Sequence, residues 1–248
     1  MKKALVITPT TGSLELIDAI ISVQNQTYSN TEHLIVVDGF NFTAATDDIL
    51  KKVALISPAN VQVTRTDIPF NTGANGFYGH RIMAAFGHLT AHDYIFFLDQ
   101  DNWYEPNHVQ SLVTECEKYK FDWAYSLRNI HDKDKNFICQ DNCESLGRWP
   151  VYVDKESHLI DSSTYCFSQN FLRLTGHMWD YGWGADRRYY TLIKDEVQHK
   201  NYGCSSQYTL NYRLGGNTGS VQADFFLKGN EQTAGKHKDG FPWATVVK

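Results

Sequence analysis

The chain has 248 residues, with 23 Lys and Arg against 28 Asp and Glu and ten His, a net charge of −5. Its 42% hydrophobic and 21% charged composition is that of a folded globular protein and excludes a disordered or fibrous one. The acidic balance excludes an extended nucleic-acid surface, which needs a basic stripe. The longest tight apolar run, Ile95-Phe96-Phe97-Leu98, is far short of the ~18 residues that suggest a membrane span.

Met1-Lys2-Lys3 followed by Ala4-Leu5-Val6-Ile7 begins like a leader peptide, but the chain turns polar at Thr8-Pro9-Thr10-Thr11-Gly12, too soon for a leader's apolar core. It reads as a first strand, 4–8. A helix is expected after Ser13, with Leu14, Ile17, Ile20, Ile21 and Gln24 on one face. A β-branched strand, 33–38, closes at Asp38-Gly39. There follow a helix (47–56), a strand (61–65), a Gly/Asn loop (71–76), a helix (78–89) and a fourth strand (94–98). Continuously apolar strands alternating with helices imply a parallel sheet covered on both faces, with ligands at the carboxyl ends of its strands. Thr8, Asp38 and Asp99 each end one of those runs, so three polar residues are expected on one edge.

Beyond Asp101 the texture changes. Pro106 opens a helix to about Tyr119, and a strand (123–127) follows. Residues 128–160 read as polar, aromatic and irregular, then a β-like run (164–168) and a helix near 169–175. The cluster Trp179-Asp180-Tyr181-Gly182-Trp183-Gly184-Ala185-Asp186-Arg187-Arg188 leads into a helix to about residue 199, and the tail (215–248) is rich in Gly, Asn and Lys. Five dispersed cysteines are an odd count, which suits reduced thiols better than a disulfide framework. Cys139 and Cys143 lack further ligands at zinc spacing.

The sharpest feature is Phe97-Leu98-Asp99-Gln100-Asp101-Asn102. Two carboxylates at ~4 Å in an effective dielectric near 20 repel by about 4 kcal/mol. Two solvated loop acids would bear that in water. At the end of a buried strand a divalent cation relieves it, and hard Mg²⁺ or Mn²⁺ prefers carboxylates, water and phosphate oxygens. A metal–diphosphate site at Asp99 and Asp101 is the expectation.

Several segments, in order, resemble the GT-A nucleotide-sugar glycosyltransferases of the family-2-like group. Val6-Ile7-Thr8-Pro9-Thr10 is similar to that family's first strand and turn, and Ser22-Val23-Gln24-Asn25-Gln26-Thr27 to its S-V-x-x-Q-T helix end. Leu34-Ile35-Val36-Val37-Asp38-Gly39 resembles its second strand. Asn71-Thr72-Gly73, with Arg81 ahead of Ala84-Ala85-Phe86-Gly87, resembles its N-x-G … A-R-N … A-x-G stretch, although His80 stands where alanine is common. Asp99-Gln100-Asp101 occupies the DXD position. Gly184-Ala185-Asp186 falls where the family carries Glu-Asp, with Ala185 in place of the Glu.

The resemblance implies a single α/β domain over 1–248: a GT-A, Rossmann-like, mixed but mainly parallel sheet flanked by helices. About 1–105 would bind nucleotide-sugar and about 106–248 the acceptor. It implies Thr8, Pro9 and Asp38 beside the base, Arg81 near the base or diphosphate, Asp99 and Gln100 toward the ribose and metal, and Asp101 as direct metal ligand. Asp186 would be the general base, with Asp180, six residues earlier, as the alternative. Trp103 and Trp183, like Trp149, Trp179 and Tyr181, are sugar-facing candidates against the plainer role of core packing. His237-Lys238-Asp239-Gly240-Phe241-Pro242-Trp243 is similar to the C-terminal element of another GT-A group. That likeness implies His237 as a third metal ligand and Lys236 and Lys238 as counter-charges to diphosphate, against a solvated tail histidine. Arg187-Arg188 reads either as a contact for a phosphate-bearing acceptor or as a solvated pair.

The expected activity is metal-dependent transfer of a sugar, from a UDP-sugar by preference, to a glycan or lipid-linked hydroxyl, with inversion. The cofactor would be Mn²⁺ or Mg²⁺, and the location cytoplasmic with peripheral membrane contact at a lipid-linked acceptor. A non-catalytic scaffold that binds nucleotide-sugar or glycan is the alternative. A sugar-nucleotide pyrophosphorylase is disfavoured, because residues 8–13 lack that class's Gly-rich, Arg-containing loop.

Overall fold

The computed structural model describes residues 1–57, 60–198, 200–215 and 221–244. The amino-terminal half alternates strand and helix as its periodicity predicts: β1 (Ala4–Thr10), α1 (Leu16–Gln24), β2 (Thr31–Asp38), α2 (Thr43–Ile56), β3 (Gln62–Ile68), α3 (His80–Leu89) and β4 (Tyr94–Phe97). Then come β5 (Trp103–Tyr104), α4 (His108–Tyr119), β6 (Trp123–His131), β7 (Phe137–Gln140), β8 (Tyr165–Ser168), α5 (Gln169–Thr175), α6 (Ala185–Asp195), β9 (Tyr202–Arg213) and α7 (Ala223–Lys236). One sheet runs through the described residues in the order β3-β2-β1-β4-β8-β6-β9-β5, with β7 also beside β6.

The strands β3, β2, β1 and β4 pair in parallel, whereas β8 is antiparallel to both β4 and β6. The alternation of side chains across each strand fills two apolar layers. On one face Leu5, Ile7, Ile95, Phe97, Trp123 and Tyr125 meet Ile82, Met83 and Phe86 of α3 and Tyr189, Tyr190 and Ile193 of α6. On the other, Ala4, Val6, Phe96, Leu98 and Ala124 meet Leu16, Ala19, Ile20 and Val23 of α1 and Val109, Leu112 and Val113 of α4. The edge strand β3 buries neither face fully and carries Arg65 and Asp67, charges that blunt an exposed sheet edge.

Strand order reverses at β1, whose neighbours are β2 on one side and β4 on the other. The crevice beyond the carboxyl ends of β1 and β4 is therefore a topological switch point, the usual ligand position in such sheets.

The structure corrects and extends what the sequence predicts. The stretch 128–160 is not irregular throughout: β6 continues to His131 and β7 pairs with it as a hairpin. The tail contains the 14-residue helix α7, whose Phe226, Gly229 and Thr233 are buried. The 12-residue strand β9, without a clean apolar alternation, lies parallel to β6. Several of its polar members are paired within the fold, as where Thr209 meets His108 at 2.8 Å. Tertiary pairing supplies what local pattern did not. Leu14 precedes α1 and is exposed. The helix expected to about residue 199 ends at Asp195, and His199 lies outside the described residues. All five cysteines are free.

Candidate active site

The first part of the site is the exit of β1 and β4. Gln100, just after β4, accepts hydrogen bonds at Oε1 from the Thr10 hydroxyl (2.7 Å) and the Thr11 amide (3.1 Å). Its amide nitrogen donates to Thr11 Oγ1 (3.3 Å), so this one side chain ties the two strand exits across the switch point. Thr8 lies inside the sheet instead of at its edge, because β1 continues two residues past it. Its hydroxyl meets His33 Nε2 at 2.9 Å, and burial holds that imidazole neutral by lowering its pKa to about 3. Thr8 is fully buried within the sheet, so the expected place for it beside a base is corrected. Pro9 packs under Gly79, where an added Cβ would come within 2.8 Å of the proline ring.

Asp38, at the end of β2, grips the Gly/Asn loop. Its Oδ1 accepts from the Thr72 amide (2.7 Å) and hydroxyl (2.8 Å), and its Oδ2 from the Gly73 amide (2.8 Å). A carboxylate offers about four lone-pair sites, so these three bonds leave room for one more donor. Position 73 admits only glycine, since a Cβ there would lie 2.1 Å from the Tyr78 carbonyl oxygen. Asn75 and Tyr78 follow in left-handed conformations (φ 61° and 51°), which delays the start of α3 to His80. Arg81 stacks over Phe77 (3.5 Å to the ring centre) and donates to Asp180 Oδ1 (3.0 Å). That pair is substantially exposed on both sides.

The acidic centre lies between β4 and the approach to β8. Asp99 Oδ2 accepts from the hydroxyls of Ser162 (3.1 Å) and Ser163 (3.2 Å), and the Asp99 amide donates to Ser163 Oγ (3.0 Å). Burial, with the charges of Asp101 and Asp161, pushes the Asp99 carboxyl up to about 7. Burial likewise raises Asp101, reinforced by Asp161, and raises Asp186, again with Asp161 as the adverse charge. Asp161 is thus the charged neighbour common to Asp99, Asp101 and Asp186. Asp180 sits with Arg81 instead. Arg213, at the end of β9, fixes the turn after Asp99 by donating from Nε to the Asp101 carbonyl (3.0 Å), and its amide donates to Asn102 Oδ1 (3.0 Å).

Beneath this centre Arg128 of β6 is buried with three carboxylates: Asp141 (2.8 Å), Asp161 (2.6 Å) and Glu144 (2.6 Å). None of these four, nor Ser162 and Ser163, was singled out by sequence. Their one local signal is the polar run Asp161-Ser162-Ser163 interrupting apolar sequence before β8, which reads merely as a turn.

The aromatic candidates separate. Trp179 is fully buried and stacks on Tyr189 (4.2 Å), so it is core and not a sugar-facing surface. Trp183 is 75% exposed, on a loop that passes over Gly76; Gly182 lies so close to the Gly76 carbonyl that a Cβ would be 3.4 Å from it, and Gly184 enters α6 at φ 81°. Trp103 is half-buried, packed on His131 (4.7 Å) and under Arg213 (5.2 Å). The His237 ring lies against Trp243 (5.3 Å) and Phe241 (6.4 Å). Arg187 is engaged with Glu144 (2.7 Å), while Arg188 lies over the Tyr181 ring (4.7 Å).

Among the described residues no three His, Cys, Asp or Glu side chains are grouped to hold a metal unaided. Two carboxylates at a strand end do suit Mg²⁺ or Mn²⁺, which commonly takes one or two protein carboxylates and completes its shell with substrate phosphate and water. The adverse charge that holds Asp99 near neutrality is what a dication would offset, so the donor set fits.

The sequence matches the family described as "Glycosyl transferase family 2" over residues 5–171. No curated protein sequence matches it. Among solved structures the fold is similar to that of S. aureus TarS 1-349, with 13% identity and a TM-score of 0.61 over 85% of this chain and 60% of that one. The UDP-GlcNAc complex of TarS 1-349 gives 13% identity and a TM-score of 0.63 over 94% of this chain and 66% of that one. This chain thus spans between three fifths and two thirds of those chains' length. Such low identity speaks to the GT-A fold alone. The ordered strands, the acidic pair after β4 and a family match over well over half of the residues together place this chain in glycosyl transferase family 2.

Proposed function

We propose that the protein transfers a sugar from a nucleoside-diphosphate sugar to a hydroxyl acceptor, dependent on Mn²⁺ or Mg²⁺ and with inversion at the anomeric carbon. The observation that carries this reading is the half-buried pair Asp99 and Asp101 just past β4, at the switch point of the sheet, where Asp99 rests on the Ser162 and Ser163 hydroxyls. TarS 1-349 has been solved with UDP and with UDP-GlcNAc, which favours a uridine donor.

Asp38 and the loop it grips would face the base, and the β1 exit tied by Gln100 would face the ribose and diphosphate. Asp99 and Asp101 would hold the dication, which supplies charge neutralisation for the departing diphosphate. Asp186, at the first turn of α6, would take the proton of the attacking hydroxyl. Burial raises the Asp186 carboxyl from its ordinary value, the direction that suits a base working near neutral pH. Asp180 is less suited, because its carboxylate is exposed and occupied by Arg81. Trp183 and Trp103 remain the acceptor-facing candidates. Among the described residues no helix is long and apolar enough to cross a membrane.

Thermal stabilisation by a panel of UDP-, GDP- and TDP-sugars, with and without Mn²⁺, tests the donor reading, since a ligand that binds the folded state raises its apparent stability. We expect Mn²⁺-dependent stabilisation by UDP-sugars, release of the nucleotide on incubation, and loss of both in Asp101→Asn. No stabilisation by any donor would sink the reading. Tight binding without turnover would instead favour a scaffold.

A further inference from the structure

The residues that hold Asp99 and those that hold Asp186 are joined. Asp99 rests on the Ser162 and Ser163 hydroxyls, and the Ser163 amide donates to Asp161 Oδ1 (2.9 Å). Asp161 Oδ2 pairs with Arg128, and Arg128 pairs with Glu144 Oε2. The other oxygen of Glu144 accepts from Arg187 Nη2 (2.7 Å), whose backbone amide donates to Asp186 Oδ1 (2.8 Å). The loops that supply these groups are also tied directly: the Asp161 amide donates to Ser145 Oγ (2.9 Å), and Asp141 folds the 141–145 loop by accepting from the amides of Cys143, Glu144 and Ser145.

A guanidinium facing three buried carboxylates is poor economy for stability alone, because desolvation offsets most of the attraction. Its geometry has another use. Glu144 is the one acid shared by the buried Arg128 and the half-exposed Arg187, so it connects the donor side of the site to the start of α6.

We propose that Glu144 and Arg187 are positioning residues for the transfer step, fixing the first turn of α6 and its Asp186 carboxylate relative to Asp99. This rests on the donor reading given above. Neither residue touches the reacting atoms; each acts through Asp186.

Arg187 is the better site to test, because its side chain is 39% exposed and its loss leaves no cavity in the core. Arg187→Met is expected to lower kcat for release of UDP from UDP-GlcNAc about 10- to 100-fold, the cost of misplacing a catalytic group by roughly 1 Å. The affinity for UDP with Mn²⁺, measured by calorimetry, should stay within about threefold and KM for donor likewise. Arg187→Lys, which keeps the cation, should recover part of kcat. Glu144→Gln combined with Arg187→Met should cost little more than Arg187→Met alone, as expected of two groups in one linkage. Unchanged kcat in Arg187→Met overturns the inference. So does a parallel fall in kcat, UDP affinity and thermal midpoint, which denotes a structural role only. A wild-type protein that releases no nucleotide from UDP-GlcNAc or any other panel donor fails differently: it removes the donor reading on which this inference stands.

Discussion

The two halves of the sheet secure buried polar groups in different ways. Around β1, β2 and β4 a side chain at a strand exit grips mostly backbone: Asp38 holds the amides of Thr72 and Gly73, and Gln100 holds the amide of Thr11. Around β6, β8 and β9 the grip is between ionised side chains, with Arg128 facing Asp141, Glu144 and Asp161. Backbone amides are present whatever the residue, so the first arrangement demands little beyond an acid and a glycine at set places. The second demands every partner at once, since removing one leaves a buried charge uncompensated. Under the proposed function the first half would receive the donor, and the second would support the reacting groups.

The largest expected effect lies where the two halves meet. Asp186→Asn should lower turnover by about 10²–10⁴-fold, the range for loss of a positioned base, while UDP binding with Mn²⁺ persists. Steady-state rates and calorimetry read the two quantities separately. If Asp180→Asn produces that loss instead, the base belongs to the Arg81 side of the site.

Next in size is the contrast in stability. Arg128→Met strands three carboxylates and should destabilise the fold by about 3–5 kcal/mol in denaturant titration. Thr72→Ala removes one of the three bonds to Asp38 and should cost about 1 kcal/mol. Equal costs would erase the distinction between the halves.

A third comparison is made by pH. Asp99 is raised to about 7 in the metal-free fold against an ordinary value of 3.8, so the folded state binds more protons than the unfolded one between those values. Stability contributed by this group therefore falls as pH rises from about 4 to about 7. Asp99→Asn should gain on the wild type across that window and hold its advantage above it, in metal-free thermal melts. By the same logic Mn²⁺-dependent UDP affinity should strengthen as pH rises through neutrality. His33 and His108 act in the opposite sense. Burial lowers each to about 3, so their contribution is lost as pH falls below about 6.5.

The smallest effect belongs to the exposed pair of Arg81 and Asp180. Asp180→Asn should change stability by no more than about 1 kcal/mol, as for surface ion pairs generally, and a larger loss in urea titration would mean that the pair braces the donor loop.

Much of the first half was legible in sequence. The apolar strands and the Asn71-Thr72-Gly73 turn follow from local chemistry, burial on both faces and a close backbone approach, and Asp99-Gln100-Asp101 is found just past β4 as expected. The helix 169–175 is likewise found with the expected bounds, opened by Ser168, whose hydroxyl accepts from the Phe171 amide. What was missed lacks a local signature. Strand β9 mixes Gly, Ser, Gln and Asn with aromatics, and it is a strand because β6 and β5 lie on either side of it. Trp179 and Trp183, four residues apart, read alike in sequence, yet one is entombed against Tyr189 and the other stands in solvent.

Sequence by itself determined the layered α/β fold and the place of the acidic pair just past β4, because strand periodicity acts over a few residues. Only the tertiary structure decided that Asp186 has Asp161 as a charged neighbour in common with Asp99 and Asp101 while Asp180 sits with Arg81, and that Arg128 underlies them. Those relations join residues 25 to 87 positions apart, and the energy that selects them, burial of charge against its partners, exists only once the chain has closed around them.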